Sequence, residues 1–263
     1  MASRRDVRPA TREMVEAVVR AGVPQDAVAK ARFFGAVPGG YAEGDVVLGV
    51  RVPVLRALAR DRRRQVGLVE VEELLEDDVH EVRLLGAILL VELYKLGDDT
   101  RRAEVVDVVL RRAERLDNWD LVDTVAPFTL GPFLRDRPRE RSVLDRLAAS
   151  ESLWRRRLAI VGTFGLIRAG EFDDTLRLAA KLLDDPHHLI HKATGWMLRE
   201  VGARDRPALD GFLDRHAAEM PLVMLRYALE KHTPDERRNY LLVRSASTGR
   251  AGRSVGPVAI HTA

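Results

Sequence analysis

At 263 residues, 46% hydrophobic and 32% charged, the chain has the make-up of one large globular domain or one helical array. It has no cysteine, which excludes a disulfide framework and thiolate metal ligation and fits a reducing compartment. No apolar run approaches the roughly 20 residues of a membrane span, and the polar start Met1-Ala2-Ser3-Arg4-Arg5 predicts no secretory signal. The net charge of +3 resides in Arg244, Arg250 and Arg253, so residues 1–243 are neutral in sum. Net charge alone does not draw that body to nucleic acid; basic groups would have to gather on one surface.

Residues 11–21 and 25–34 place apolar side chains at three- and four-residue spacing and are predicted as helices. The stretch 35–45 then carries Gly35, Pro38, Gly39, Gly40 and Gly44 and is predicted as the one long loop. Long loops in compact domains are usually functional or disordered. Pro53 suits the first position of the next helix. Helices are predicted at 53–66, 68–76, 79–96, 99–116, 118–134, 139–149, 152–168, 172–184, 187–202, 206–218, 221–231 and 235–243. No segment sustains period-two alternation, so the fold class is all-α. Residues 1–243 are expected to form a single domain, and the small, polar residues of 244–263 a disordered basic tail.

The helices repeat. Leu74-Leu75-Glu76-Asp77-Asp78 before Arg83, Leu147-Ala148-Ala149-Ser150 before Arg157, and Leu182-Leu183-Asp184-Asp185-Pro186 before Lys192 share one layout. Registered on the basic residue they give a column: Arg83, Asp120, Arg157, Lys192 and Arg226. A period in the mid-thirties built of helix pairs predicts an α-solenoid, with the second helices lining one concave wall. Two readings of the column stand side by side. Its cations form a groove for a polyanion, or they pair with acids of adjacent units (Glu76, Glu151, Asp185) as an inter-repeat ladder.

The acidic member of the column lies in Asp117-Asn118-Trp119-Asp120-Leu121-Val122-Asp123. Asp117 or Asn118 can cap a helix here. Trp119, Asp120 and Asp123 then share one face, an aromatic beside two carboxylates. Neighbouring acids raise at least one pKa. The plainer reading is a helix start with acids at the positive dipole end and Trp119 in the core. Trp154, three before Arg157, is expected in the core; Trp196, four past Lys192, shares that residue's face. His187, His188 and His191 lack a third ligand at helical spacing, so no metal is expected and they read as helix-start residues. No phosphate-binding glycine motif and no Ser or Cys nucleophile with a histidine partner is present.

The stretches Asn118–Asp123, Trp154–Ile160 and His191–Glu200, with Gly49–Pro53 and Arg226–Lys231, resemble the AlkD-type DNA alkylation-repair family over about residues 25–243. The resemblance implies a C-shaped stack of HEAT-like repeats holding duplex DNA with alkylated bases in a basic concave groove. It implies a monofunctional glycosylase that removes cationic N3- and N7-alkylated purines without metal or cofactor. Asp123 takes the place of the family's catalytic carboxylate, Trp119 and Trp196 of its active-site tryptophans, and Arg157 of its groove arginine. Lys192, Arg83, Arg226 and Phe33 fall among the expected DNA contacts. A monomer acting in the bacterial cytoplasm at the nucleoid, with no membrane partner, is the matching expectation. Two positions depart from the family: Asn118 stands where a second aromatic is common, and Phe33 lies where relatives carry a tyrosine.

A charged Asp123 would stabilise an oxocarbenium-like sugar, and Arg157 is expected to hold its pKa down. The alternatives are a repeat scaffold that binds branched or damaged DNA without cleavage, and a solenoid that takes an acidic peptide in the same groove.

Overall fold

The computed structural model describes residues 7–251. Among the described residues there is no strand, only an isolated parallel bridge between Val46 and Val79. The chain divides into two compact units, one ending at Ala169 and one starting at Gly170.

The first unit contains α1 (Pro9–Arg20), α2 (Pro24–Phe33), α3 (Val52–Arg62), α4 (Leu68–Leu75), α5 (His80–Leu96), α6 (Asp99–Arg111), α7 (Trp119–Val125), α8 (Leu130–Asp136), α9 (Ser142–Ala148), α10 (Leu153–Gly162) and α11 (Phe164–Ile167). Prolines open α1, α2 and α3, where the missing N–H has no intrahelical acceptor to lose. The axis of the unit is α5, buried on every side from His80 to Val91, as an all-round apolar helix must be. It packs against α3, α4, α6 and α7, and α7 in turn packs against α10. Leu85, Leu89 and Leu90 are wholly buried, each contributing about 1.5–3 kcal/mol of transfer free energy. Successive helices thus share one continuous core, the solenoid-like all-α architecture that the repeats predict.

Three long predicted helices are shorter in the structure. The one at 118–134 splits into α7, a 3-10 turn at Ala126–Phe128 and α8. Pro127 supplies no N–H there, and its ring crowds the preceding turn. The one at 152–168 divides at Thr163, whose hydroxyl donates to the Ile160 carbonyl at 2.7 Å. The division lets α8 and α11 run backbone against backbone: a Cβ on Gly131 would lie 2.7 Å from the Gly162 oxygen and 2.8 Å from the Gly165 nitrogen. The one at 99–116 ends at Arg111 and continues as a 3-10 turn, Ala113–Arg115.

The second unit contains α12 (Asp173–Lys181), α13 (His188–Gly202), α14 (Arg206–His216), α15 (Leu222–Ala228) and α16 (Pro234–Ala251). Here α13 is central and packs on α12, α14 and α15 around Leu198, Phe212, Leu213, Met224 and Leu225. The His187 imidazole caps α13 by accepting from the Leu189 amide at 3.2 Å, and His191 Nε2 lies 2.6 Å from the Asp185 carbonyl oxygen. Helix α16 runs to Ala251, past the predicted end at 243 and into the stretch expected to be a disordered tail. Residues 252–263 of that tail lie outside the described residues.

Candidate functional site

The first turns of α5 and α7 and the second turn of α10 meet in the first unit. Asn118 is the joint. Wholly buried, it accepts from the Trp119 amide at 2.9 Å and donates from Nδ2 to the Phe34 carbonyl at 2.9 Å. The residue that departs from the family's second aromatic thus ties the start of α7 to the end of α2. An aromatic at this position would leave the Phe34 carbonyl without its donor, a loss of about 1–3 kcal/mol for a buried polar group.

Trp119 and Asp123 project from one face of α7, as the four-residue spacing predicts. Trp119 is half-buried and packs on two rings from the end of α2. Phe33 meets it edge-on at 5.2 Å, and Phe34 lies tilted at 5.9 Å. Phe33 is 65% exposed. Trp154 is buried, as expected, and contacts a ring that sequence reasoning did not single out: Tyr41 of the glycine-rich loop, at 5.8 Å.

Arg157 is buried and grips Asp123 with both arms of its fork, Nε to Oδ1 at 2.9 Å and Nη2 to Oδ2 at 2.8 Å. Bidentate pairs of this kind fix geometry as well as charge. The Asp123 side chain keeps 18% of its surface exposed, so it is reachable from outside. Burial pushes its carboxyl above the ordinary value of 3.8, Arg157 pulls it back and Asp120 adds to the rise. Arg157 does hold the pKa down, as expected, yet the net direction is upward. The arginine opposes the effect of burial without overturning it.

Behind this pair lies a second ionic group. His80, wholly buried, puts Nε2 2.9 Å from Asp120 Oδ2, its Nδ1 lies 3.6 Å from Asp45 Oδ2, and its ring stacks on Phe34 at 4.3 Å. Burial works against an imidazolium, but Asp120 and Asp45 push its pKa up to about 9. Arg83 bonds Asp45 at 2.6 Å, Asp117 at 2.9 Å and the Asp77 carbonyl at 2.9 Å. Burial works against the Asp45 carboxylate too, yet the nearby His80 ring and the hydrogen bond and charge of Arg83 hold it below the ordinary range.

Arg83 is 1% exposed, so the expectation of a groove-facing DNA contact at this position is corrected. Its guanidinium is engaged on three sides inside the protein. The ladder reading holds for Arg83 and Arg157, but with other acids than those expected. Arg83 and Arg157 pair with Asp45, Asp117 and Asp123, whereas Glu76 pairs with Arg112 and Arg115.

The other expected site residues belong to the second unit. Trp196 on α13 is half-buried and donates from its indole to Glu200 at 3.3 Å. Lys192 on the same helix is half-buried, and Arg226 on α15 is exposed. Among the described residues, no three His, Cys, Asp or Glu side chains are grouped to hold a metal ion, and no helix is long and apolar enough to cross a membrane.

Fold and site together define an all-α, solenoid-like protein that presents an aromatic-lined carboxylate held by arginine. The family of the DNA alkylation repair enzyme matches residues 15–232, and the chain belongs to that family. Its role is that of an enzyme in the repair of alkylated DNA. The solved structure of a predicted DNA alkylation repair enzyme from Enterococcus faecalis is similar over 81% of this chain and 97% of that one, with a TM-score of 0.65 and 16% identity. At that identity the likeness establishes the fold. Comparison with curated proteins gave no match.

Proposed function

We propose that the protein is a monofunctional DNA glycosylase that hydrolyses the N-glycosidic bond of cationic N3- and N7-alkylated purines in duplex DNA. The observation that carries this reading is the Asp123 carboxylate, partly exposed, fixed by Arg157 and flanked by Trp119 on its own helix. Alkylation at N3 or N7 makes the purine a cationic leaving group. The C1′–N bond breaks with its electron pair moving to the purine, which departs neutral. The deoxyribose is left as an oxocarbenium-like cation, water adds its oxygen to C1′, and the water's second proton passes to solvent.

An ionised carboxylate fixed beside that cation stabilises it without reorganisation. The electron-rich face of Trp119 favours the charged base and the charged sugar. Both Asp123 oxygens are engaged by Arg157, so the role proposed for the carboxylate is electrostatic first, with water positioned at its exposed edge. Trp196 is proposed as the second site tryptophan, and Lys192, Arg226 and Phe33 as DNA contacts. The protein is proposed to act as a monomer in the cytoplasm at the nucleoid, with water as the co-reactant.

The test is base release from a duplex carrying one 7-methylguanine, at fixed salt. Wild-type release that is lost in Asp123→Asn supports the reading; absence of release by the wild type overturns it. One observation favours a non-cleaving reading, in which the protein grips branched or damaged DNA: the same closed Arg157–Asp123 pair, since an engaged carboxylate is less free to act on water. In that case binding persists in Asp123→Asn and no base is released by either protein.

A further inference from the structure

The segment between α2 and α3 is fastened by its own turns and by side chains of α2 and α5. Its turns close through Gly40 N–H to the Val37 carbonyl at 2.8 Å, Glu43 N–H to Gly40 at 3.2 Å and Ala42 N–H to Gly35 at 3.2 Å. Its exit is fastened to α5. The buried Glu81 carboxylate accepts from the amides of Leu48, Gly49 and Val50 at 2.7–3.2 Å, and Arg83 holds Asp45. Lys30 donates to the Gly49 and Val50 carbonyls at 2.8 and 2.7 Å.

The conformation depends on glycines at positive φ, among them Gly35 at 72°, and such residues lose the most freedom on folding. Gly35 has a second constraint: a Cβ there would lie 2.6 Å from Cζ of Tyr41, so the phenol ring rests directly on the glycine backbone. Tyr41 is the side chain this construction delivers to the site. It remains half-exposed, lies edge-on to Trp154 at 5.8 Å, and is close enough to Trp119 for that side chain to bear on its ionisation. Asp120 and Arg157 are the charged groups whose fields reach it. Burial pushes the phenol above its ordinary value of 10, so at neutral pH it is an uncharged hydrogen-bonding group.

We propose that Tyr41 is a substrate-contacting residue of this site: the glycine-rich loop holds its phenol against Trp154, on the side of Trp119, so that it touches the nucleotide presented to Asp123 and fixes that nucleotide in place. The proposal rests on the glycosylase reading for its kinetic consequence and on lesion recognition alone for its binding consequence. Contact made before bond cleavage predicts that Tyr41 sets preference for a lesion over normal DNA as well as the rate of release.

The experiment uses the full chain and three variants: Tyr41→Ala, Tyr41→Phe and Gly35→Ala, the last displacing the ring without deleting it. One arm measures single-turnover release of 7-methylguanine. The other measures affinity for a duplex carrying 7-methylguanine on a 2′-fluoro sugar, whose electronegative substituent resists cleavage, against the undamaged duplex at the same salt. Tyr41→Ala is expected to slow release about tenfold and to lower the lesion-over-undamaged affinity ratio about fivefold, with undamaged-duplex affinity changed less than about twofold. Gly35→Ala should follow Tyr41→Ala. Tyr41→Phe should restore most of the affinity ratio and less of the rate.

An unchanged ratio and an unchanged rate in Tyr41→Ala overturn the proposal. So does an equal loss on both duplexes, which marks a structural role only. Should the wild type release no base, the glycosylase reading falls and the affinity arm alone decides Tyr41. A ratio lowered by Tyr41→Ala upholds its contact; a ratio unchanged, or a wild type with no lesion preference, overturns it.

Discussion

Arg83 and Arg157 occupy the same column of the repeat, on α5 and α10, and both are buried in ion pairs, yet they differ in what they hold. Arg83 ties three separate pieces of chain together: the glycine-rich loop at Asp45, the turn before α5 at Asp77 and the approach to α7 at Asp117. Arg157 turns Nε and Nη2 onto both oxygens of one carboxylate, Asp123, which keeps an exposed edge beside Trp119. The first arrangement is a clasp; the second is a mount for a reactive group. The lesson is that a repeated basic position does not define a repeated role. The partner carboxylate does, through which pieces of chain it joins and whether it can be reached.

The largest expected effect separates the two arginines by their partners. Asp123→Asn should lower 7-methylguanine release about a thousandfold, the scale of losing one preorganised electrostatic group, with undamaged-duplex affinity nearly unchanged and a lower thermal midpoint, because the buried Arg157 loses its counter-charge. A mutant that keeps more than a tenth of the activity would remove Asp123 from the chemistry and erase the contrast.

Arg83→Met should do the opposite kind of damage. It leaves Asp45 and Asp117 partly buried without their shared cation, a loss of about 3–5 kcal/mol of stability measured by urea unfolding. The amides of the 35–50 loop should exchange faster in the same variant. Unchanged stability would mean that the clasp is dispensable.

The clasp should also be sensitive to alkali. The His80 pKa is raised to about 9 in the folded protein against 6.5 for a free imidazole. Its contribution, roughly 3 kcal/mol in full, is therefore complete below pH 6.5 and lost as pH rises through about 9. Unfolding free energy measured across that window should fall, and His80→Gln should flatten the slope. A flat wild-type profile would place the proton elsewhere.

The smallest effect is a displacement of the acid limb of the reaction. Asp123 must be ionised, and its pKa lies above 3.8, so the rate should fall with acid at a higher pH than for an ordinary aspartate. Arg157 is the group that opposes this rise, so Arg157→Gln should move the limb further up, whatever it does to the maximal rate. A limb that stays in place would show that the bidentate pair does not set the charge of Asp123.

Much of this protein follows from local order along the chain. The 3.6-residue period gives the helices, their recurrence gives the stacked architecture, and the spacing of Trp119 and Asp123 puts both on one face of α7, because covalent geometry and helical pitch fix such relations within a few residues. Pro127 marks the division of one long predicted helix for the same reason. What only the tertiary structure decided are the partners drawn from far away. Arg83 meets Asp45 and Asp117, Asn118 meets Phe34 across 84 residues, and Tyr41 meets Trp154. Nothing in the spacing of those residues encodes their meeting. It arises when packed helices and a glycine-built loop bring them together, and burial then requires each polar group to find its partner.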